Sequence, residues 1–236
     1  MTEEIFRDDA YARTCEATVT DVDGDGIRLD RTVFYSTGGG QPGDTGELKT
    51  VDGRSVAIAD TRKHPHTGEH LHVPADGALD LRPGETVSAE IDWQRRHRHM
   101  RMHTCLHLLC AVVTGGVTGG SIGEAKGRLD FDLPDQALDK EHITTELNRL
   151  IEENYPLDTR WIDDVELAAS PNLVRTMSVK PPSGAGRVRV IDIPGVDLQP
   201  CGGTHVKTTG EIGRVRVGKI ENKGRHNRRI NVLFDE

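Results

Sequence analysis

Two short stretches far apart in the chain carry residue types suited to metal chemistry: Arg101-Met102-His103-Thr104-Cys105-Leu106-His107-Leu108-Leu109 and Cys201-Gly202-Gly203-Thr204-His205. Positions i and i+4 of a helix lie on one face, one turn apart, so His103 and His107 can reach one ion together. Cys201 and His205 repeat the same separation, and the glycines between them let the backbone turn both side chains inward. Histidines with one cysteine thiolate form a zinc-type donor set. The count leaves a closed structural site and an open catalytic site both standing. Several cysteines favour the first; histidines with a free position favour the second. A zinc peptidase is disfavoured, because its helix motif places Glu directly after the first His and Thr104 stands there.

The elements that must hold these stretches follow from periodicity and punctuation. Gln94 to Val113 has no Gly or Pro and predicts one helix. Met102, Leu106, Leu109 and Val113 form its core stripe, and His99, His103, His107 and Cys110 a neighbouring one. Arg187 to Ile193 alternates as a strand before Pro194-Gly195 and leads to Cys201. Upstream, Glu16–Val22 and Ile27–Tyr35 flank Asp23-Gly24-Asp25-Gly26, a hairpin signal. Further short strands are predicted at Val51, Val56–Ala59, His70–Val73 and Thr86–Asp92, punctuated by Pro65, Gly68, Pro74, Gly77, Pro83 and Gly84. Six or so short strands in the first ninety residues predict a small antiparallel barrel. Beyond the His helix the pattern predicts a Gly-rich connection into a strand at 127–132 and a helix from Asp135 to Asn154, ended by Pro156. A strand at 157–162, a short helix at 163–169 and a closing antiparallel pair at 212–220 and 229–234 complete it. The fold class is therefore α+β, with a domain break near Ile91–Trp93: 1–92 barrel-like, 93–236 carrying the donor pairs.

At 236 residues with 35% hydrophobic and 29% charged, the chain suits one large or two modest domains. An aromatic content of 4% argues against a surface of aromatic platforms for single-stranded bases. A formal net charge of -8 excludes coating nucleic acid by bulk charge, but not a local basic patch. No run reaches membrane-span length and the start is acidic, so a cytosolic protein is expected. Cys15, Cys105, Cys110 and Cys201 are irregularly spaced and no disulfide is expected. The cluster His64-Pro65-His66…His70-Leu71-His72 reads as histidines of an exposed loop rather than as a second metal site.

Two features point to a partner. Between Val206 and Ile230 lie Lys207, Arg214, Arg216, Lys219, Lys223, Arg225, Arg228 and Arg229 against only Glu211 and Glu221. With Arg95, Arg96, Arg98 and Arg101 at the start of the His helix, they can form a phosphate-binding face; a solvated ribbon of mixed charge explains them equally. Ser36 to Gly46 is glycine-rich, so its amides can approach a ligand closely, though the ending that would make it a P-loop is absent.

The paired motifs together resemble the editing-site signature of alanyl- and threonyl-tRNA synthetases. More fully, Arg101-Met102-His103-Thr104-x-x-His107-Leu108-Leu109, Arg128-Leu129-Asp130-Phe131 and Ile193-Pro194-Gly195-Val196-Asp197…Cys201-Gly202-Gly203-Thr204-His205 resemble the freestanding alanyl-tRNA editing proteins, the AlaX family. Gly38-Gly39-Gly40-Gln41-Pro42-x-Asp44-x-Gly46 matches the form with an extra N-terminal domain. The resemblance covers nearly the whole chain. It departs at Ser121–Lys126, where Glu124 stands in a segment that carries Gln in synthetase editing domains.

The resemblance implies an α/β-sandwich editing domain after the barrel. It implies one Zn2+ per chain on His103, His107, Cys201 and His205, acting in trans on alanine tRNA charged with serine or glycine. Together with the glycine-rich loop and the basic stretch, it makes Gly38, Gly39, Gly40, Gln41, Asp44, Arg101, Arg214, Arg216 and Arg228 the candidate tRNA-binding residues. Thr104 is the candidate contact for a substrate hydroxyl. A monomer is expected. The competing expectations are a zinc-stabilised tRNA-binding module without hydrolysis and editing of mischarged threonine tRNA.

Overall fold

The Asp23-Gly24-Asp25-Gly26 turn closes a hairpin in the computed structural model, which describes residues 2–75, 81–134, 138–169 and 186–236. The first elements are β1 (Glu3–Glu4), β2 (Thr14–Asp23), β3 (Gly26–Leu29), β4 (Arg31–Thr32), β5 (Gly46–Thr50), β6 (Ser55–Lys63), β7 (His70–Pro74) and β8 (Thr86–Ile91). Six of them close a barrel in the order β2-β3-β7-β6-β5-β8, all neighbours antiparallel. Alternation drives it: Val87, Ala89 and Ile91 of β8 and Val56 and Ile58 of β6 point inward, against Leu29, Leu48 and Phe34. β1 pairs in parallel with β4 beside the barrel.

The remainder comprises α1 (Trp93–Val112), β9 (Gly116–Ser121), β10 (Lys126–Asp132), α2 (Lys140–Glu152), β11 (Asp158–Ile162), α3 (Asp164–Ala169), β12 (Val188–Ile193), β13 (Asp197–Pro200), β14 (Val215–Asn222) and β15 (Asn227–Phe234). They build a four-stranded sheet, β14-β15-β10-β9, and a three-stranded sheet, β11-β12-β13. The chain divides into two compact units, up to His97 and from Arg98, the division falling within α1. Among the described residues no helix is long and apolar enough to cross a membrane.

Within the second unit, α1 packs on β10 where Gly127 has no side chain; a Cβ there would meet Met102 at 2.7 Å. From His99 to Cys110 only Arg101 escapes burial. The two-stripe expectation thus understates α1, which is buried nearly all round. α2 starts on Asp139, whose carboxylate accepts the Glu141 and His142 amides. Its Thr144 accepts the Val217 amide, and Asn148 bonds both backbone groups of Val215. These bonds satisfy part of the exposed edge of β14.

Several expectations move. The strand expected to run to Tyr35 ends at Leu29, and Val51 lies in a turn after β5 rather than in a strand. The Gly-rich connection contains β9, and β13 was hidden in a stretch too short to show a period. The Asp135 end of the predicted second helix and the Gly77 punctuation lie outside the described residues. The loop reading of the four clustered histidines is corrected for two of them. His70 and His72 belong to β7 and are buried, while only His66 of the set is fully exposed. His72 accepts its place through Thr32 Oγ1 at 2.8 Å and the Ile27 carbonyl at 3.1 Å, and burial drives its pKa down to about 3.

The Gly-rich loop is anchored from inside its own unit. Arg96, fully buried, forks onto both carboxylate oxygens of Asp44 and donates to the carbonyls of Ala10 and Val33. Asp44 also accepts the Tyr35 amide at 2.6 Å. Asp44, expected to face a tRNA, is therefore consumed by the fold. Gly43 runs so close to β6 that a Cβ would sit 1.9 Å from the Thr61 carbonyl oxygen. Removing one partner of a buried ion pair strands the other without solvent, which costs about 3–5 kcal/mol. Asp44→Ala should destabilise the barrel unit by that order, read by urea unfolding from Trp93 fluorescence in a Trp161→Phe background.

Candidate metal centre

α1 and the turn after β13 bring the four predicted donors together. His103, His107, Cys201 and His205 place their ligand atoms all within 4.8 Å of one another. Cys201 Sγ lies 3.4 Å from His103 Nε2 and 3.2 Å from His205 Nε2. Bond lengths of about 2.0–2.1 Å to nitrogen and 2.3 Å to sulfur imply tetrahedral donor separations of roughly 3.3–3.6 Å. The two sulfur–nitrogen separations are close to these values, and the donor types suit zinc. The three imidazoles are buried, Cys201 is half-buried and Gly202 is exposed, so the cluster meets solvent on the Cys201 side.

The ring orientations are set from behind. His107 Nδ1 bonds Asp197 Oδ2 at 2.9 Å, and both Asp197 oxygens accept from Gln199 Nε2. A carboxylate on Nδ1 keeps the proton there and leaves Nε2 for an ion. Thr104 orients the His205 ring. Its hydroxyl oxygen lies 3.1 Å from His205 Nδ1 and accepts the Val206 amide at 3.3 Å. Thr104 is fully buried. The hydroxyl expected to meet a substrate is engaged by His205 and Val206. Arg189 clamps the turn by donating to the carbonyls of Cys201 and Gly203, at 2.9 and 2.8 Å.

The electrostatics follow from this packing. Burial works against charge on His107, but Asp197 and the Cys201 sulfur outweigh it and hold its pKa up at about 10. Burial likewise opposes a Cys201 thiolate, yet the fields of His103 and His205 win and hold the thiol well below its usual range. His205 is pushed well below the ordinary histidine value, by burial first and then by His103. Cys105, in the same helix, is buried without such neighbours and is pushed up to about 12, which makes it an inert thiol.

The other predicted site residues scatter. Gly38, Gly39 and Gly40 form the tip of the barrel unit's loop, with Gly39 and Gly40 at φ of 58° and 83°. Their turn is closed by reciprocal backbone bonds between Gly38 and Gln41, and Gln41 itself is buried. Arg101, expected toward the tRNA, is spent on the Ile212 carbonyl, the Glu236 carboxylate and the Phe234 ring. Arg214 and Arg216 are exposed, while Arg228 gives one nitrogen to the Pro134 carbonyl. Arg216 lines an open groove of about 560 Å³ with Lys126, Lys140 and Lys219, a groove that shares no residue with the donor cluster.

Asp197, Gln199 and Arg189 were not singled out beforehand as orienting residues. Their signal was present: Asp197, Gln199 and Cys201 alternate, and a strand would put all three on one face.

Residues 188–231 match the family model described as the threonyl and alanyl tRNA synthetase second additional domain, and residues 5–95 match that of class II (A) tRNA synthetases. Fold, donor set and both matches define a protein of the tRNA-synthetase-related editing class. The alanyl-tRNA editing protein AlaX-M of Methanosarcina acetivorans is 37% identical over 98% of both chains. The AlaX-M of Saccharolobus solfataricus is 34% identical, again over 98% of both. An alanine–tRNA ligase of Methanothermobacter thermautotrophicus is 35% identical over 93% of this chain but only 25% of its own length. The chain belongs to the alanyl-tRNA editing protein family.

Asp197→Asn should weaken zinc binding about 10–100-fold, measured by competition with a chromophoric chelator. A second readout is stability against pH. In the metal-free protein the raised pKa of His107 contributes stability that is complete below about 6.5 and lost as pH climbs through about 10. Asp197→Asn should flatten that fall.

Proposed function

We propose that the protein is a trans-editing hydrolase that removes serine, and secondarily glycine, from mischarged alanine tRNA by ester hydrolysis at a single zinc site. The observation that carries this reading is the convergence of four oriented donors in a chain that aligns end to end with freestanding editing proteins. The barrel domain spans 1–92 and the editing domain, an α/β sandwich, 93–236. The protein works as a cytoplasmic monomer.

His103, His107, Cys201 and His205 hold the ion, with Asp197 and Thr104 fixing two of the imidazoles. A zinc ion held there supplies Lewis acidity toward the ester carbonyl or a water, or a docking point for the substrate's amino group. An aminoacyl ester is already activated, so the chain's own task is placement. The exposed side of the cluster at Cys201 and Gly202 admits the ester. The fixed imidazoles keep the donors from rearranging as it enters. Gly38, Gly39 and Gly40 offer backbone amides, and Arg214, Arg216 and Arg228 offer positive charge, to the tRNA backbone.

Selection of serine over alanine requires a group that bonds the extra hydroxyl. Thr104, with its oxygen engaged by His205 and Val206, serves the metal site instead. Thr104→Val should therefore lower deacylation of seryl- and alanyl-tRNA together and leave their ratio unchanged; a shifted ratio would return Thr104 to substrate contact.

The decisive measurement is a deacylation matrix of alanine and threonine tRNAs charged with serine, glycine, alanine and threonine. Rapid release from seryl-tRNA(Ala), abolished by His103→Ala, is expected. Binding without release would make the chain a tRNA-binding module, and preference for threonine tRNA, which the shared family model leaves open, would reassign the substrate. Metal content and activity of Cys201→Ala, measured together, separate a permanent ligand from a displaceable one: retained zinc with retained activity identifies the latter. Gly39→Ala/Gly40→Ala, strained at positive φ, should slow deacylation without releasing zinc.

A further inference from the structure

The chain is poor in aromatics, yet Trp161 leaves 44% of its surface exposed on β11. β11 is an edge strand in which four of five residues face solvent. An indole in that place costs solubility and offers a template for unwanted pairing, and it is not among the residues that form the neighbouring core of Ile162, Val188 and Val190.

Register gives it a meaning. Trp161 lies directly opposite Arg189 on β12. The Arg189 carbonyl in turn accepts the Cys201 amide at 3.0 Å, extending the β12–β13 ladder by one step. Trp161, Arg189 and Cys201 therefore form one row across three adjacent chain segments. Side chains in such a row share a face. It is also the face of Asp197 and Gln199, which alternate with Cys201 along the strand. Two strand spacings separate the ends of the row, about 10 Å. Between them lies Arg189, buried, its guanidinium committed to the Cys201 and Gly203 carbonyls.

The cluster opens to solvent at Cys201 and Gly202, the end from which this row runs out to the indole. Resting on the editing reading above, we infer that Trp161 is a stacking platform for the base of the terminal nucleotide of the RNA. The scissile ester sits on that nucleotide's ribose, and the base projects from the same ring. A ribose at the Cys201 end carries its base outward by a few bond lengths, toward the flat apolar face of Trp161. Stacking suits a base whose identity is the same in every substrate, because it needs a π-face rather than hydrogen bonds. Trp161 is a positioning residue: it touches the nucleotide and stays clear of the reacting ester.

The test exploits the fact that the chain has only two tryptophans. In the zinc-loaded full-length Trp93→Phe protein, Trp161 is the sole indole. A CCA trinucleotide should quench its emission saturably. Trp161→Ala should raise KM for seryl-tRNA(Ala) about tenfold and leave kcat within twofold, and Trp161→Phe should stay close to wild type. Absence of quenching overturns the proposal. So does an unchanged KM in a folded Trp161→Ala protein, or a loss of kcat shared equally by the Phe and Ala variants, which would mark a structural role. A wild-type protein that deacylates no tRNA would overturn the editing reading, while the quenching titration would still judge Trp161 alone. Quenching by poly-glutamate in place of CCA would reveal a general anion effect and also overturn it.

Discussion

Three imidazoles and a thiol gathered within 4.8 Å in a mostly buried place are the constraint around which the second unit is arranged. Polar groups removed from water are costly unless each finds a partner. Two rings are held from behind, His107 by Asp197 and His205 by Thr104, and His103 and His205 turn Nε2 toward the sulfur. The same packing separates the protonation tendencies of the group, raising His107 and lowering His205 and Cys201. A cation coordinated there would replace lost hydration and favour the thiolate at once.

The barrel unit solves a comparable problem with an ion pair. Its Gly-rich loop has an exposed tip and a buried stem. The stem survives because Asp44 is held by Arg96 and by the Tyr35 amide, while Gly43 allows the loop to press against β6. The glycines thus divide into two kinds. Gly43 exists for close packing. Gly39 and Gly40 hold a left-handed tip that leaves backbone groups facing solvent. Only the second kind is available to a ligand.

Charge is distributed on the same logic. The arginines at the start of α1 look, on a helical wheel, like a phosphate-binding face, but within their own units they are largely engaged. Arg95 bonds the Gly43 carbonyl, Arg96 is buried on Asp44, and Arg98 and Arg101 both meet Glu236. Arg214 and Arg216 are exposed, Arg216 lying 3.6 Å from Asp235 and sharing a groove with Lys126, Lys140 and Lys219. A net charge of -8 therefore coexists with local basic surface. On the three-stranded sheet the row from Cys201 through Arg189 to Trp161 puts a thiolate, a clamp and an aromatic face in one line, though they are forty residues apart at the extremes.

The sequence by itself determined the donor set, the barrel, the helix bearing the first pair and the family. The first three are local or carried by periodicity: i, i+4 spacing on a helix, alternation in short strands, and a Cys-Gly-Gly-Thr-His turn whose glycines signal a tight bend; the family rests on the resemblance of several motifs together. It did not determine which polar side chains serve the ligand and which serve the fold. Thr104, Asp44 and Arg101 have residue types suited to binding, and Asp197 and Gln199 look like ordinary strand residues. Most of their roles depend on partners far along the chain: Arg96 is 52 positions from Asp44, His107 is 90 from Asp197 and His205 is 101 from Thr104. His70 and His72 show the same limit, since their burial depends on where β7 falls in the barrel and not on the Pro and Gly beside them. Tertiary structure decides such matters because a hydrogen bond or an ion pair is spent once: a group engaged inside the fold is no longer available to a substrate, and no local pattern records which partner arrived.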